Sequence, residues 1–371
     1  MAPHVRRRNP LTRSVMGMFG LVFLSIMLVV CVGSLPWTFG RVAGVPRYNA
    51  GTPSEGRAAP VWVHRAENAP RTLLGTDMLG RSMAVRLLAG GGISLTLGLC
   101  AAALSVCIGT LYGSVAGYAG GRIDSFMMRV VDVLYGLPYV LLVVLLAVAC
   151  DALVGEYVSR QRERAGVVRE LATAAMEAEP GGAHGRDQTK AAVHEYMASH
   201  DELRREWERL ALDQVPPRQL SEGARAALDL STLLVAIGGV SWLTMARVIR
   251  GQVLSLRGQA FMEGARALGL PASRIFRKHL LPNLVGPIVV YATLTVPQAI
   301  LQESFLSFLG IGVKPPLPSW GNLAAEGLPE LNPYESNWWL LLFPCLLLGV
   351  TLLALNFVGE ALRESLEPKR L

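Results

Sequence analysis

Six stretches of this chain run for 18 residues or more with at most one charged side chain, at 15–32, 91–117, 130–150, 228–246, 283–302 and 338–358. An apolar segment of roughly 20 residues is long enough to cross a bilayer as a helix. With no water in the hydrocarbon layer, its backbone groups must bond within the segment. The expected fold is therefore all-α: an integral membrane protein with six transmembrane helices. Composition agrees, with 51% hydrophobic residues, 17% charged residues and a mean hydropathy of +0.38, more apolar than a soluble domain of this size.

Basic residues flank these runs, as topology signals do. Arg6, Arg7, Arg8 and Arg13 precede the first run, which reads as an uncleaved anchor. The segment around Arg122 and Arg129, the stretch from Arg247 to Lys278, and the tail with Arg363, Lys369 and Arg370 fall on the same side once six spans are drawn. Both termini are expected in the cytoplasm. The segment 37–86, placed outside, runs against the rule with Arg41, Arg47, Arg57, Arg65, Arg71, Arg81 and Arg86; longer loops follow the rule less strictly. The net charge of +7 does not point to nucleic acid, because many of the arginines sit beside apolar runs.

The sequence divides into a first span with its N-terminal flank (1–36), an outward loop (37–86), spans two and three (87–151), a charged insert (152–227) and spans four to six (228–371). The insert is alanine-rich and alternates acids and bases, the pattern of solvated helices. Breakers at Pro180, Gly181 and Gly182, and at Pro216 and Pro217, predict a helical hairpin, extracytoplasmic in this topology.

Chemistry-bearing motifs are scarce. Gly90, Gly91 and Gly92 lack the lysine and the strand–helix context of a phosphate loop, and there is no nucleophile elbow or zinc-protease helix. The five cysteines, Cys31, Cys100, Cys107, Cys150 and Cys345, lie in or beside apolar runs without metal-ligand spacing and are expected as small buried residues. His184, His194 and His200 fit no metal-ligand spacing. No enzyme, metal or cofactor site is expected in this chain. A membrane-embedded enzyme would need paired reactive groups in the spans, and a secondary transporter more spans and internal repeats.

The segment from Glu263 to Leu284, EGARALGLPASRIFRKHLLPNL, resembles the cytoplasmic coupling loop of ATP-binding-cassette importer permeases. Glu263, Ala265, Gly269, Ile275, His279, Leu281 and Pro282 stand at the matching places, and Gly264 replaces the usual alanine. Locally, a short helix over 263–268 should break at Gly269 and Pro271, with Ser273 capping a second helix that runs to Pro282. The segment GTDMLGRS at 75–82 looks like a stretch of the C-type permeases of dipeptide and oligopeptide importers, with Ser82 in place of an aspartate. The match continues through 120–138, 246–257, 303–322 and 356–368.

The resemblance implies a translocation subunit for peptides or peptide-like solutes. It would pair with a second, homologous permease and couple through 257–281, with Glu263, Gly264, Ala265, Arg266, Ala267, Gly269, His279 and Pro282, to two cytoplasmic ATPases that bind ATP and Mg. An extracytoplasmic binding protein would deliver substrate, membrane lipid would surround the helices, and the location implied is the cell inner membrane. Candidate gate or pathway residues are Asp132, Arg247 and Glu303; Asp132 is expected to pair with Arg129 or Arg247, and Glu303 is expected at the outer end of span five. Trp320 is expected as an interfacial anchor or a contact to the binding protein.

Overall fold

The computed structural model describes residues 15–63, 73–178, 190–218, 220–332 and 336–366. Arg65, Arg71, the Pro180–Gly182 breaker, His184 and both charged termini lie outside them. Two compact units are present, residues 148–229 and the remainder of the chain.

The chain begins with α1 (Val15–Gly33) and the short α2 (Leu35–Thr38), followed by a two-residue hairpin of β1 (Arg41–Val42) and β2 (Val45–Pro46). Then come α3 (Met83–Ala119), α4 (Gly121–Tyr135) and α5 (Tyr139–Ser159). The second unit contributes α6 (Gln161–Ala178), α7 (Lys190–Ser199) and α8 (Asp201–Gln214). After it run α9 (Glu222–Arg257), α10 (Ala260–Ala267), α11 (Ala272–Ile275), α12 (Leu281–Phe308), α13 (Trp320–Gly327) and α14 (Trp339–Leu366). Among the described residues six helical segments are long and apolar enough to cross a membrane. The all-α, six-span expectation holds, with the small hairpin as the one sheet among the described residues.

Span limits differ where helices continue past the apolar run. The second begins at Met83, inside the stretch expected as loop, and the fourth continues through Arg247 and Arg250 to Arg257. The third is displaced: residues 121–135 form a separate amphipathic helix, Gly136–Pro138 breaks it, and the span itself is α5. Proline disfavours helical backbone at the residue before it, here Leu137, which ends α4 ahead of an otherwise apolar sequence.

Two cores stand out among the described residues of the larger unit. One gathers Cys31, Met83, Leu87, Leu95, Ile300, Trp320, Leu323, Trp339 and Leu340, so α1, α3, α12, α13 and α14 share it. The other joins Met245, Ile249 and Val253 of α9 to Met262, Ala265, Ile275, Leu280 and Leu284. Gly109, Gly113 and Gly117 on one face of α3 allow the backbone of α9 to approach, since a Cβ at each would crowd Met245, the Ala246 carbonyl or the Arg250 carbonyl. Of the cysteines only Cys31 is buried; Cys100, Cys107 and Cys345 lie exposed on the chain's own surface, against the buried expectation. They occupy helix faces that no other described residue covers.

Trp320 is not an interfacial anchor. It is fully buried at the start of α13, its indole nitrogen donating to the Leu87 carbonyl at 3.2 Å, beside Gly91. Ser319 caps α13 in a reciprocal box with Asn322.

Of the stretch 37–86, expected as a loop, the described residues are tightly built. Asp77 accepts the backbone N–H groups of Leu79 and Arg81 at 2.9 Å, Arg81 Nε at 2.6 Å and Arg86 at 2.7 Å. Arg86, 2% exposed, also forks onto Glu326 of α13 at 2.5 and 3.0 Å. Arg57 forks onto Glu330 at 2.8 and 3.0 Å, which holds that carboxyl below the usual carboxylate range. Arg47 lies over the Trp37 ring. Four arginines that conflict with the charge rule thus have local partners. Gly80 has φ +71°, and a side chain there would strike Thr52.

Among its described residues the smaller unit carries three helices beyond the continuations of α5 and α9, rather than the two of the expected hairpin. Ala172, Val193 and Trp207 form its core, and α8 ends just before Pro216 as expected. No group of His, Cys, Asp and Glu suited to a metal exists among the described residues.

Candidate coupling and pathway site

Residues 257–281 form a shaped projection on the second core. Helix α10 buries Met262 and Ala265, three residues apart on one face, and turns Glu263, Gly264, Ala267 and Leu268 outward. Leu268 is 81% exposed, an unusual position for a leucine beside a well-packed core. Its neighbour Gly269 has φ +68°; the Gly269 N–H bonds to the Arg266 carbonyl at 2.9 Å and the Leu270 N–H to the Ala265 carbonyl at 3.2 Å. This pair of bonds is a Schellman ending, and Leu270 packs back on the core beside Ala265.

Two local expectations need correction. Ser273 does not cap a second helix, since the N-cap position is Pro271 and makes no side-chain bond. The helix does not stop at Pro282 either: α11 passes through a π turn at Phe276–Leu280 straight into α12. Proline cannot donate to the carbonyl four residues back and crowds it. The wider turn just before it, closed by Leu281 N–H on the Phe276 carbonyl, adjoins that position. His279 lies 6.2 Å, ring to ring, from Phe261 on α10, and its carbonyl accepts from Asn283 at 2.7 Å. Arg266 stands over the Tyr118 ring of α3 at 5.4 Å. The projection is thus tied to α3, α9 and α12 together.

Asp132 sits on α4 and bonds to Arg247 at 2.8 Å, one of the two partners expected for it; Arg247 also stacks over Tyr135 at 4.0 Å. Asp132 is exposed rather than buried in a span. A second pair escaped sequence reading: Arg250 grips Asp124 at 2.5 and 2.6 Å, and this bond holds the Asp124 carboxyl below its usual range. The signal was an acid in the first turn of α4 with arginines one turn apart on α9.

Glu303 does not face outward. It is 0% exposed and accepts from Ser307 at 2.8 Å and Ser304 at 3.2 Å, with Ser94 and Ser319 beside it. Ser307 in turn accepts from the Val313 N–H, so Glu303 fastens the end of α12 to the turn leading into α13.

Residues 109–371 match the family of binding-protein-dependent transport system inner membrane components. The chain belongs to this family. The permease is 37% identical over 295 residues to the dipeptide transport system permease protein of Bacillus subtilis, covering 80% of this chain and 68% of that one. It is 34% identical to the oligopeptide transport system permease protein of Haemophilus influenzae (80% and 70%) and 37% identical to that of Escherichia coli K12 (80% and 72%). As a multi-pass permease of an ATP-binding-cassette importer it carries the 263–284 motif on α10, α11 and the start of α12.

Proposed function

We propose that this permease moves peptides or peptide-like solutes across the cell inner membrane, as half of a pathway completed by a second, homologous permease. Two cytoplasmic subunits bind ATP and Mg and perform the hydrolysis; an extracytoplasmic binding protein supplies substrate. Both termini face the cytoplasm, and the 152–227 insert lies outside, where it modulates docking of the binding protein or the sister permease.

The observation that carries the coupling role is the form of α10: a buried Met262–Ala265 face under an exposed Glu263–Gly264–Ala267–Leu268 face, stopped by Gly269. An apolar side chain as exposed as Leu268 supports a protein partner at that face. Because α10 shares a core with α11 and α12, and α11 continues through its π turn into α12, a push on α10 is passed to a transmembrane helix. Asp132 and Arg247 sit where α4 meets α9 and serve as gate residues of the same movement. Glu303 serves as a fastener behind the pathway.

The test is cross-linking in the assembled importer. A cysteine at Leu268 should form a zero-length disulfide to a groove cysteine of the ATPase, and one at the buried Ala265 should not. Equal reaction at both positions would refute the docking face.

A further inference from the structure

A cleft of about 460 Å³ opens between α4, α5, α9 and α12. Its polar lining is Tyr135, Tyr139, Ser241, Thr244, Gln298 and Gln302, beside leucines such as Leu137 and Leu301, and none of its lining residues is charged. The Tyr139 hydroxyl donates to Gln302 Oε1 at 2.8 Å and lies 2.8 Å from Ser241 Oγ, which also reaches the Ile237 carbonyl at 2.8 Å. Four acceptor oxygens therefore share two hydroxyl protons, so the cluster has room for an incoming N–H. Gln298 is exposed, and neither its amide nor Gln302 Nε2 bonds to any described residue. Those amides present donors to an incoming carbonyl.

Two glutamines, a threonine, a serine and a tyrosine on converging faces of three apolar spans are poorly suited to hydrocarbon, where each unmet polar group is costly. They fit a wet cavity at the protein's inner side. We infer that this cleft binds the main chain of a peptide in transit, Gln298 and Gln302 pairing with its amide groups and Tyr139 and Ser241 accepting its N–H. This rests on the peptide-importer reading above. Uncharged donors and acceptors pair with the peptide group, which every residue shares, and discriminate little among side chains; the volume falls in the usual range for small-ligand sites.

The test uses the complete importer with its binding protein in proteoliposomes, supplied with trialanine, trilysine, triglutamate and backbone N-methylated trialanine. Gln298→Leu removes no internal bond and so leaves folding intact; Gln302→Leu removes the bond to Tyr139. Each should lower transport kcat/KM about threefold to tenfold for all three unmethylated peptides, the size of one or two lost hydrogen bonds. ATP hydrolysis should persist, and the penalty for N-methylation should shrink. In a cysteine-free background, Gln298→Cys should react with a neutral maleimide and be protected by trialanine more than by its methylated form. Unchanged transport in both leucine variants, a loss confined to one charge class, or labelling indifferent to peptide would overturn the site while leaving the importer reading intact. If the unaltered complex imported none of the tripeptides, the peptide reading itself would fall, and the site with it.

Discussion

Arg250 of α9 holds Asp124 of α4 with both prongs of its guanidinium, at 2.5 and 2.6 Å, in a geometry that fixes direction as well as distance. One turn toward the N-terminus of α9, Arg247 holds Asp132 at 2.8 Å, so α4 is fastened along its length to the helix that leads into the 257–281 projection.

Removing the first clamp should loosen that attachment. Asp124→Asn is expected to cost about 1.5–3 kcal/mol, the range for hydrogen bonds to charged groups, read as a lower melting temperature of the purified complex. The pH dependence has a defined sign. The native carboxyl titrates below its ordinary value because Arg250 donates to it, so its contribution is complete above the unfolded value, about 3.9, and is lost as pH falls through the native one. The melting difference between native protein and Asp124→Asn should hold from pH 7 to pH 5 and shrink below pH 4.

Gly264 and Gly269 lie five residues apart and should respond oppositely to alanine. A Cβ at Gly264 meets nothing within 4 Å, so Gly264→Ala should stabilise α10 by up to about 1 kcal/mol through helix propensity. Gly269 holds φ +68°, and Gly269→Ala should cost about 1–2 kcal/mol. Hydrogen exchange of the Leu270 amide, bonded to Ala265, should slow in the first variant and speed up in the second.

Arg86 is buried between Asp77 and Glu326, and its loss leaves the two carboxylates with Arg81 as their one remaining cation among the described residues. Arg86→Met should destabilise the protein by about 3 kcal/mol or more, whereas Arg86→Lys, which keeps the charge but not the fork, should lose less. Thermal unfolding of the three proteins in one detergent would order them.

Glu303 sits in a ring of serines and is sterically filled, so Glu303→Gln should preserve most of the fastening and Glu303→Leu should not. If Glu303 served substrate instead, the glutamine variant would lose transport while melting like the native protein.

Much of this was legible in sequence. Long uncharged runs announced the spans, and Glu263 with Gly269 announced a short helix with a sharp end, because a glycine after a periodic segment is a local signal. The third span was misplaced since Gly136–Pro138 lies within an apolar run, where hydropathy alone cannot separate an amphipathic helix from a span. Trp320, Glu303 and Arg86 were invisible for a different reason. Their surroundings come from residues up to about 240 positions away, such as Leu87 beside Trp320 and Glu326 beside Arg86. The Pro282 stop failed because a π turn, which has no clear sequence mark, lets the helix continue.

The most direct measurement of the central claim is recovery of partners with a tagged permease extracted mildly from its native membrane, comparing the native chain with Leu268→Arg. The account predicts that the native chain brings down a second permease and two ATPases, and that the variant keeps the second permease but loses the ATPases. Undiminished ATPase recovery with Leu268→Arg, or a lone chain that still moves solute without ATP, would contradict it.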